Sequence, residues 1–231
     1  MRAWVGTSGF QYDFWRGGFY PEDCKKPQML AAYGERLRSV EINVTFYRMP
    51  KRAMLEGWAA QVPDGFRFAL KASRRITHMK RLKEVEEPVG YLVETVRALG
   101  DRLGPLLFQL PPNLKKNTER LKGLLTLLPR DVRATLEFRH ASWFDDEVYG
   151  LLREHGVALC ISDQGEGEDE TPFESTADFG YLRLRRDGYS DDELSAIADR
   201  IRAQEWNEIH AYFKHEQLAP TLAAQLAKLL E

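Results

Sequence analysis

Apolar and polar residues alternate along residues 134–139, and this stretch guides the prediction for the whole chain. In an extended chain its apolar side chains point one way, whereas Thr135, Glu137 and Arg139 point the other. Helical segments flank the stretch, which indicates that both faces of the strand are covered. Glu137 and Arg139 then face the middle of the fold. A charged group there is costly to desolvate unless it is paired or used, so the pattern predicts a functional strand.

The same alternation recurs along the chain and predicts eight strands. They cover 3–7, 39–43, 66–71, 105–110, 134–139, 157–162, 181–185 and 209–214. Helical spacing of apolar residues predicts helices between them, at 26–37, 52–61, 89–99, 118–128, 143–155, 190–204 and 220–230. Strands that alternate with helices over this length predict an α/β fold, a single (β/α)8 TIM barrel in one domain of residues 1–231. A doubly wound open sheet is the alternative.

Local signals mark several element ends and one loop. Gly156 is expected to end the helix that precedes it, and Ser190 with Glu193 forms a capping-box start for the next predicted helix. Residues 164–170 are acidic, contain glycine and are expected to form a mobile loop. Residues 10–21 are rich in aromatic side chains, which are expected to pack as a lid or plug, with an exposed stacking platform as the alternative.

Composition narrows the classes of protein. The hydrophobic content of 43% is sufficient for a sizeable core, and the net charge of -2 argues against a protein built wholly around nucleic acid. Cys24 and Cys160 are far apart and lack metal-type spacing, and Cys160 is expected to be a buried thiol. The amino terminus shows no basic-then-apolar leader, and no apolar run approaches the ~20 residues that cross a bilayer. A cytoplasmic protein without membrane contact is therefore expected.

In a TIM barrel the active site lies at the carboxyl ends of the strands, and polar residues occur at nearly all of these positions. They are Ser8, Glu41, Asn43, Lys71, Gln109, Glu137, Arg139, Asp163, Arg183, Arg185 and Lys214. A barrel without catalytic function would more readily place apolar side chains there. The pattern favours an enzyme with one shared polar pocket.

Several motifs resemble the YecE-like family, also called domain of unknown function 72. They are Gly6-Thr7-Ser8-Gly9, Val40-Glu41-Ile42-Asn43, Thr45-Phe46-Tyr47-Arg48, Phe68-Ala69-Leu70-Lys71-Ala72, Leu107-Phe108-Gln109-Leu110-Pro111-Pro112, Glu137-Phe138-Arg139-His140 and Thr176-Ala177-Asp178-Phe179-Gly180-Tyr181. The resemblance covers essentially the whole chain and implies a TIM barrel, without implying a specific activity. The chain departs from the family pattern at Arg185-Arg186 and at Lys214-His215-Glu216.

Charge counting at the predicted strand ends favours an anionic ligand. Three carboxylates (Glu41, Glu137, Asp163) face five cations (Lys71, Arg139, Arg183, Arg185, Lys214), an excess of two positive charges. Such an excess suits a phosphate or a carboxylate. An internal network of ion pairs with a solvated surplus is the alternative.

The first functional hypothesis is an enzyme that acts on a phosphorylated or sugar-like anionic substrate, as a hydrolase, lyase or isomerase. Glu137 is the expected general acid or base and Glu41 its partner, because two carboxylates in different surroundings can have separate pKa values. Lys71 is the expected electrophile or Schiff-base former. The residues predicted to bind the substrate are Ser8, Tyr12, Trp15, Asn43, Phe46, Tyr47, His78, Gln109, Arg139, His140, Asp163 and Arg183.

Two other functions remain open from the sequence. Nucleic-acid binding or repair would use the basic segment 74–83, with Trp15, Phe46 and Tyr47 as stacking surfaces. A divalent metal centre has suitable residue types in Glu41, Glu137, His140, Asp163 and His215. No HxxE or HExxH spacing occurs, however, and neighbouring cations would repel the ion, so no metal and no cofactor is expected. The sequence leaves the oligomeric state open.

Overall fold

A computed structural model describes residues 1–163 and 171–231 of the chain. In these residues eight parallel strands close into a barrel, because each strand pairs with the next along the chain and the last pairs with the first. The strands are β1 (Arg2–Ser8), β2 (Ser39–Ile42), β3 (Arg67–Lys71), β4 (Leu103–Gln109), β5 (Ala134–Glu137), β6 (Ala158–Asp163), β7 (Phe179–Leu184) and β8 (Glu208–Phe213). The predicted (β/α)8 TIM barrel is confirmed.

Helices connect the strands, and most of them cover the outside of the barrel. They are α1 (Met29–Gly34), α2 (Val44–Tyr47), α3 (Arg52–Ala59), α4 (Glu86–Val96), α5 (Thr118–Leu125), α6 (Asp146–His155), α7 (Asp191–Arg202) and α8 (Ala219–Leu229). Short 3-10 turns add Asp13–Trp15, Lys26–Gln28, Arg97–Arg102 and Ala141–Trp143, and a π-helical turn covers Arg75–Met79. No helix among the described residues is both long enough and apolar enough to span a lipid bilayer.

The alternation read from the sequence determines what fills the barrel. Apolar residues such as Val40, Leu136 and Phe138 point outward into the core beneath the helices. A separate inner cluster fills the middle of the barrel and consists of Ala69, Leu107, Cys160, Tyr181 and Tyr212. Below this cluster, His210 Nε2 lies 3.1 Å from Glu208 Oε1. The prediction that Cys160 is a buried thiol is therefore confirmed.

Barrel closure requires β1 and β2 to approach closely at Gly6. A methyl group added there would lie 1.8 Å from the carbonyl oxygen of Ser39 and 2.9 Å from the hydroxyl of Tyr33. The same hydroxyl donates to the Ser39 carbonyl at 2.8 Å and accepts from the backbone N–H of Thr7 at 2.9 Å. Gly6 therefore permits the backbone contact that brings the ends of these two strands together.

Element ends follow the caps seen in the sequence. Gly156 ends α6 with φ of 65°, and Ser190 with Glu193 forms the capping box of α7. The helix predicted over 143–155 begins only at Asp146, because Asp145 caps it by accepting from the backbone N–H of Val148. The helix predicted over 26–37 is divided between a 3-10 turn and α1. The mobile loop predicted at 164–170 lies outside the described residues.

Candidate functional site

A pocket of about 420 Å³ opens at the carboxyl ends of the strands. Its lining residues are Ser8, Tyr12, Asn43, Phe46, Tyr47, Lys71, Gln109, Arg139, Arg183, Arg185, Lys214 and His215. The first nine are predicted binding or catalytic residues. Arg185, Lys214 and His215 come from the two motifs at which the sequence departs from the family pattern, so both motifs contribute to the wall of the pocket.

The floor of the pocket is an ion-pair network centred on Arg183. Its Nε and Nη2 donate to the two carboxylate oxygens of Glu41, both at 2.9 Å, and its Nη1 donates to Glu137 Oε2 at 2.7 Å. Both carboxylate side chains are 0% exposed. Tyr181 adds a hydroxyl hydrogen bond to Glu41 at 2.8 Å. Tyr181 is not among the predicted site residues. It lies two residues from Arg183 in β7, and this spacing indicates that both side chains point inward.

Both buried carboxylates are ionised at neutral pH. Burial by itself raises the pKa of Glu137, but Arg183 and Arg139 outweigh it and lower the pKa to about 2. Burial likewise opposes ionisation of Glu41, yet Arg183 and Arg185 hold its pKa well below the usual range. One guanidinium bridges the two carboxylates and lowers the pKa of both, so neither holds the proton that a general acid would donate at neutral pH.

Lys71 is a pocket cation whose ionisation is strongly altered by burial. Its Nζ donates to Gln109 Oε1 at 2.8 Å, and Gln109 Nε2 donates to Glu137 Oε1 at 2.8 Å. The amide thus stands between the ammonium group and the carboxylate. Burial lowers the pKa of Lys71 to about 8, with Arg183 as the next cause. The Nζ atom also lies 4.3 Å from the centre of the Phe46 ring.

Two arginines border the pocket above this network. Arg139 Nε donates to Glu137 Oε1 at 3.0 Å, and the Arg139 side chain is 33% exposed. Arg185 Nη2 donates to Ser8 Oγ at 2.9 Å and to Glu41 Oε1 at 3.2 Å. Partial exposure leaves Arg139 in a position to contact a bound molecule, whereas Arg185 is tied to the network below.

The predicted excess of two positive charges remains, but its members change. Lys214 is neutralised by Asp187 at 2.9 Å and Glu216 at 3.0 Å. The remaining charges are four cations (Lys71, Arg139, Arg183, Arg185) and two carboxylates (Glu41, Glu137), a difference of two. This balance gives the pocket a net positive charge.

Aromatic side chains form the sides of the pocket. On one side the Phe46 ring packs edge-on against Tyr47, with ring centres 5.1 Å apart. On the other side Tyr12 stacks with His215 at 5.1 Å, and its hydroxyl donates to the Ser8 carbonyl at 2.8 Å. Burial and the charge of Glu41 raise the pKa of Tyr12 to about 12, so its hydroxyl keeps its proton.

Two predicted binding residues lie away from the pocket. Asp163 lines a separate cavity of about 180 Å³ beside α7 and accepts from the backbone N–H of Arg185 at 2.6 Å. Cys160 points into the barrel, so along β6 the side chain of Ser162 also points inward and that of Asp163 points outward. The prediction that Asp163 points inward is therefore wrong. Trp15 is only 2% exposed, and its Nε1 donates to the Glu216 carbonyl at 3.1 Å. This residue belongs to the predicted aromatic plug and not to a stacking surface.

The two predicted histidines lie beside the pocket and do not line it. His78 packs edge-on against Phe46 with ring centres 4.9 Å apart, and its Nδ1 is 2.9 Å from Thr77 Oγ1. His140 Nδ1 accepts from the backbone N–H of Ser142 at 3.1 Å and thereby caps a short turn. Within residues 1–163 and 171–231, no cluster of three or more His, Cys, Asp or Glu side chains is arranged to hold a metal ion.

The basic segment 74–83 is partly neutralised by its neighbours. Arg75 pairs with Glu87 at 3.0 Å, and Lys83 lies 3.7 Å from Glu84. Arg74 instead lies over the ring of Tyr47, 5.8 Å from its centre. With two cations paired and Trp15 buried, the surface expected for nucleic acid is smaller than the sequence suggested.

A larger cleft of about 690 Å³ lies at the opposite end of the barrel, beside the residues that precede β5, β6 and β7. Arg133 lines this cleft and pairs with Glu208 at 3.1 Å. The amino-terminal face of a TIM barrel contributes to stability, whereas the carboxyl-terminal face carries the chemistry. We therefore place the candidate site in the smaller pocket above Arg183.

A family model described as "Protein of unknown function DUF72" matches residues 4–231. The chain belongs to this family. The resemblance seen in the strand-end motifs is thereby confirmed. The UPF0759 protein YecE of Escherichia coli K12 is 29% identical over 140 residues, which are 58% of this chain and 52% of YecE. The UPF0759 protein YunF of Bacillus subtilis is 27% identical over 173 residues, 68% of this chain and 61% of YunF. The first match thus spans about half the length of its relative.

Solved structures of the family share the barrel over nearly its full length. A DUF72 protein from Thermotoga maritima is 28% identical, covers 100% of this chain and 99% of its own, and has a TM-score of 0.86. One from Enterococcus faecalis is 20% identical over 99% of this chain and 95% of its own, with a TM-score of 0.81. A D-psicose 3-epimerase at 10% identity and a TM-score of 0.58, covering 100% of this chain and 96% of its own, shares the fold alone.

Proposed function

We propose that this DUF72 protein is an enzyme that acts on a small anionic, phosphorylated and sugar-like substrate in the carboxyl-terminal pocket. The observation that carries the proposal is Lys71, an amine whose pKa is lowered to about 8 in a pocket where cations outnumber carboxylates. Near neutral pH a part of the Lys71 population is the neutral amine, which is the nucleophilic form. A surface lysine, with a pKa near ~10.4, has almost none.

Anion binding is assigned first to Arg139. Only its Nε is bonded to Glu137, and neither Nη group has a hydrogen-bond partner among the described residues. These two N–H-bearing groups have the fork geometry that binds a phosphate or a carboxylate in a bidentate manner. In this proposal Arg183 and Arg185 add positive charge from below, while their direct bonds keep them fixed to the buried carboxylates.

The reaction type that fits Lys71 best is Schiff-base chemistry on a carbonyl group. The neutral amine attacks the carbonyl carbon and forms a C–N bond, the electron pair of the C=O π bond moves to oxygen, and a proton passes from the nitrogen to that oxygen through solvent. The hydroxyl of the resulting carbinolamine takes up one further proton from solvent and leaves as water, while the nitrogen lone pair forms the C=N bond of the iminium ion. Glu41 and Glu137 have lowered pKa values and hold no proton at neutral pH. Their proposed role is to position Arg183 and, through Gln109, Lys71.

Borohydride trapping tests the proposal. Dihydroxyacetone phosphate is the probe, because it combines a phosphate with a ketone. We expect sodium borohydride to fix it to Lys71 as a secondary amine, detected by peptide mass spectrometry and absent from Lys71→Met. Lys228→Met, a change at an exposed residue of α8, is the matched control and should keep the adduct. An adduct distributed equally over surface lysines, with none enriched at Lys71, contradicts the proposed reaction.

A further inference from the structure

Helix α2 presents apolar side chains to solvent beside the pocket. Val44 is 55% exposed and Tyr47 is 68% exposed, and of the four residues of α2 only Thr45 is buried. Met79, in the turn that follows β3, is 71% exposed. Buried apolar side chains stabilise a fold, whereas exposed ones in a group mark a binding surface. Packing within the barrel does not account for the sequence of α2.

The rings of α2 lie next to the cations of the pocket. Phe46 packs against Tyr47 on one side, and on the other its ring centre lies 4.3 Å from Lys71 Nζ. Tyr47 and Arg139 line the same pocket. One molecule can therefore contact the aromatic wall and the anion-binding cations at the same time.

The dimensions favour a small molecule over a macromolecular partner. A pocket of about 420 Å³ lies within the range that holds a cofactor-sized or drug-sized ligand. A stable protein interface buries at least ~1,000 Å². The apolar group here consists of the side chains of one four-residue helix and one neighbouring turn, which is too small for such an interface.

We infer that the substrate carries a flat aromatic or heteroaromatic group joined to its anionic group, and that this flat group stacks on the part of the Tyr47 ring that Arg74 leaves exposed. The anion then occupies the floor beside Arg139 and Lys71, so the inference rests on the proposed anion binding and narrows its substrate class. An aromatic ring offers a stacking face of fixed orientation and loses little conformational entropy on binding. A purely aliphatic sugar phosphate would leave Tyr47 and Val44 in water.

Calorimetric binding of three probes tests the inference: inorganic phosphate, methyl phosphate and phenyl phosphate. We expect the wild-type protein to bind phenyl phosphate about tenfold more tightly than methyl phosphate, the size of one stacking contact. Tyr47→Ala should remove this preference and leave the affinity for inorganic phosphate unchanged. Tyr47→Phe should retain the preference. Tyr91→Ala, at a tyrosine that is 47% exposed and does not line the pocket, is the matched control.

The other possible outcomes contradict either the aromatic substrate alone or the anion pocket as well. Equal affinities for phenyl and methyl phosphate, or an equal loss for all three probes in Tyr47→Ala, overturn the aromatic substrate and leave the anion pocket intact. Failure of the wild-type protein to bind any of the three overturns the anion pocket as well. A short single-stranded oligonucleotide that binds more tightly than phenyl phosphate, with an affinity that falls steeply with salt, assigns Tyr47 to nucleic acid and overturns the inference.

Discussion

Arg183 connects the two most deeply buried charges among residues 1–163 and 171–231. Its guanidinium makes two hydrogen bonds to Glu41 and one to Glu137, and all three side chains are almost inaccessible to solvent. Removing the guanidinium leaves two carboxylates without their main partner in a region of low dielectric constant. The network therefore holds the floor of the pocket together and also determines its charge.

Replacing Arg183 should destabilise the fold far more than replacing a surface arginine. We expect Arg183→Met to lower the free energy of unfolding by about 3–5 kcal/mol, the cost of breaking a buried ion pair. The matched control is Arg52→Met, which removes an ion pair with Glu56 between side chains that are 73% and 51% exposed and should cost less than about 0.5 kcal/mol. Urea denaturation measures both values. Equal losses would mean that the Arg183 network does not stabilise the barrel.

Most of the site could be predicted at the residue scale, because strand alternation determines which side chains point inward. Strand alternation predicts that Glu41, Lys71 and Glu137 lie together, although they are far apart in the chain. The prediction for Asp163 is wrong, because Asp163 has the opposite parity to Cys160, whose side chain fills the barrel. Ionisation could not be predicted, since the pKa of Glu137 depends on which guanidinium contacts it.

Elements end where the chain adopts conformations that only some residues tolerate. Gly156 ends α6 with φ of 65°, and the glycine in the sequence already indicated this stop. The turn after β3 has no such signal, since Arg81, Leu82 and Glu84 all have positive φ without being glycine. Burial of Leu82, which is 3% exposed, helps to hold that turn. Its conformation depends on tertiary contacts and could not be predicted from local sequence.

Gly156 ends α6 and Gly150 lies in its interior, so substitutions of the two glycines should have opposite effects on stability. Gly156→Ala should destabilise the protein by about 1–2 kcal/mol, because a side chain disfavours the left-handed conformation. Gly150 lies within α6, where a methyl group would meet no atom within 4 Å. Gly150→Ala should therefore stabilise the protein by about 0.5–1 kcal/mol. Thermal denaturation of both variants checks the prediction, and effects of the same sign would contradict this account of the helix end.

At the scale of the whole molecule, barrel closure creates the pocket. Six strands contribute to it directly or through the residue that follows the strand, and their side chains meet only because β8 pairs with β1. The closed fold could be predicted from eight regularly spaced strands between helices. The net charge of the pocket could be predicted, but not which residues carry it. Lys214 pairs with Asp187 and Glu216, and Asp163 faces away from the pocket.

The pH dependence of Lys71 acetylation by acetic anhydride, followed by peptide mass spectrometry in the folded protein, tests whether Lys71 is a desolvated amine in an anion-binding pocket. Only the neutral amine reacts, and lowering its pKa moves the half-reactive point to lower pH. Because burial lowers the pKa of Lys71 to about 8, we expect a midpoint near pH 8 in the native protein. In the urea-denatured protein the midpoint should lie near ~10.4. Inorganic phosphate should slow the native reaction, because a bound anion stabilises the ammonium form. A native midpoint near ~10.4, unaffected by phosphate, would contradict a desolvated amine in an anion-binding pocket.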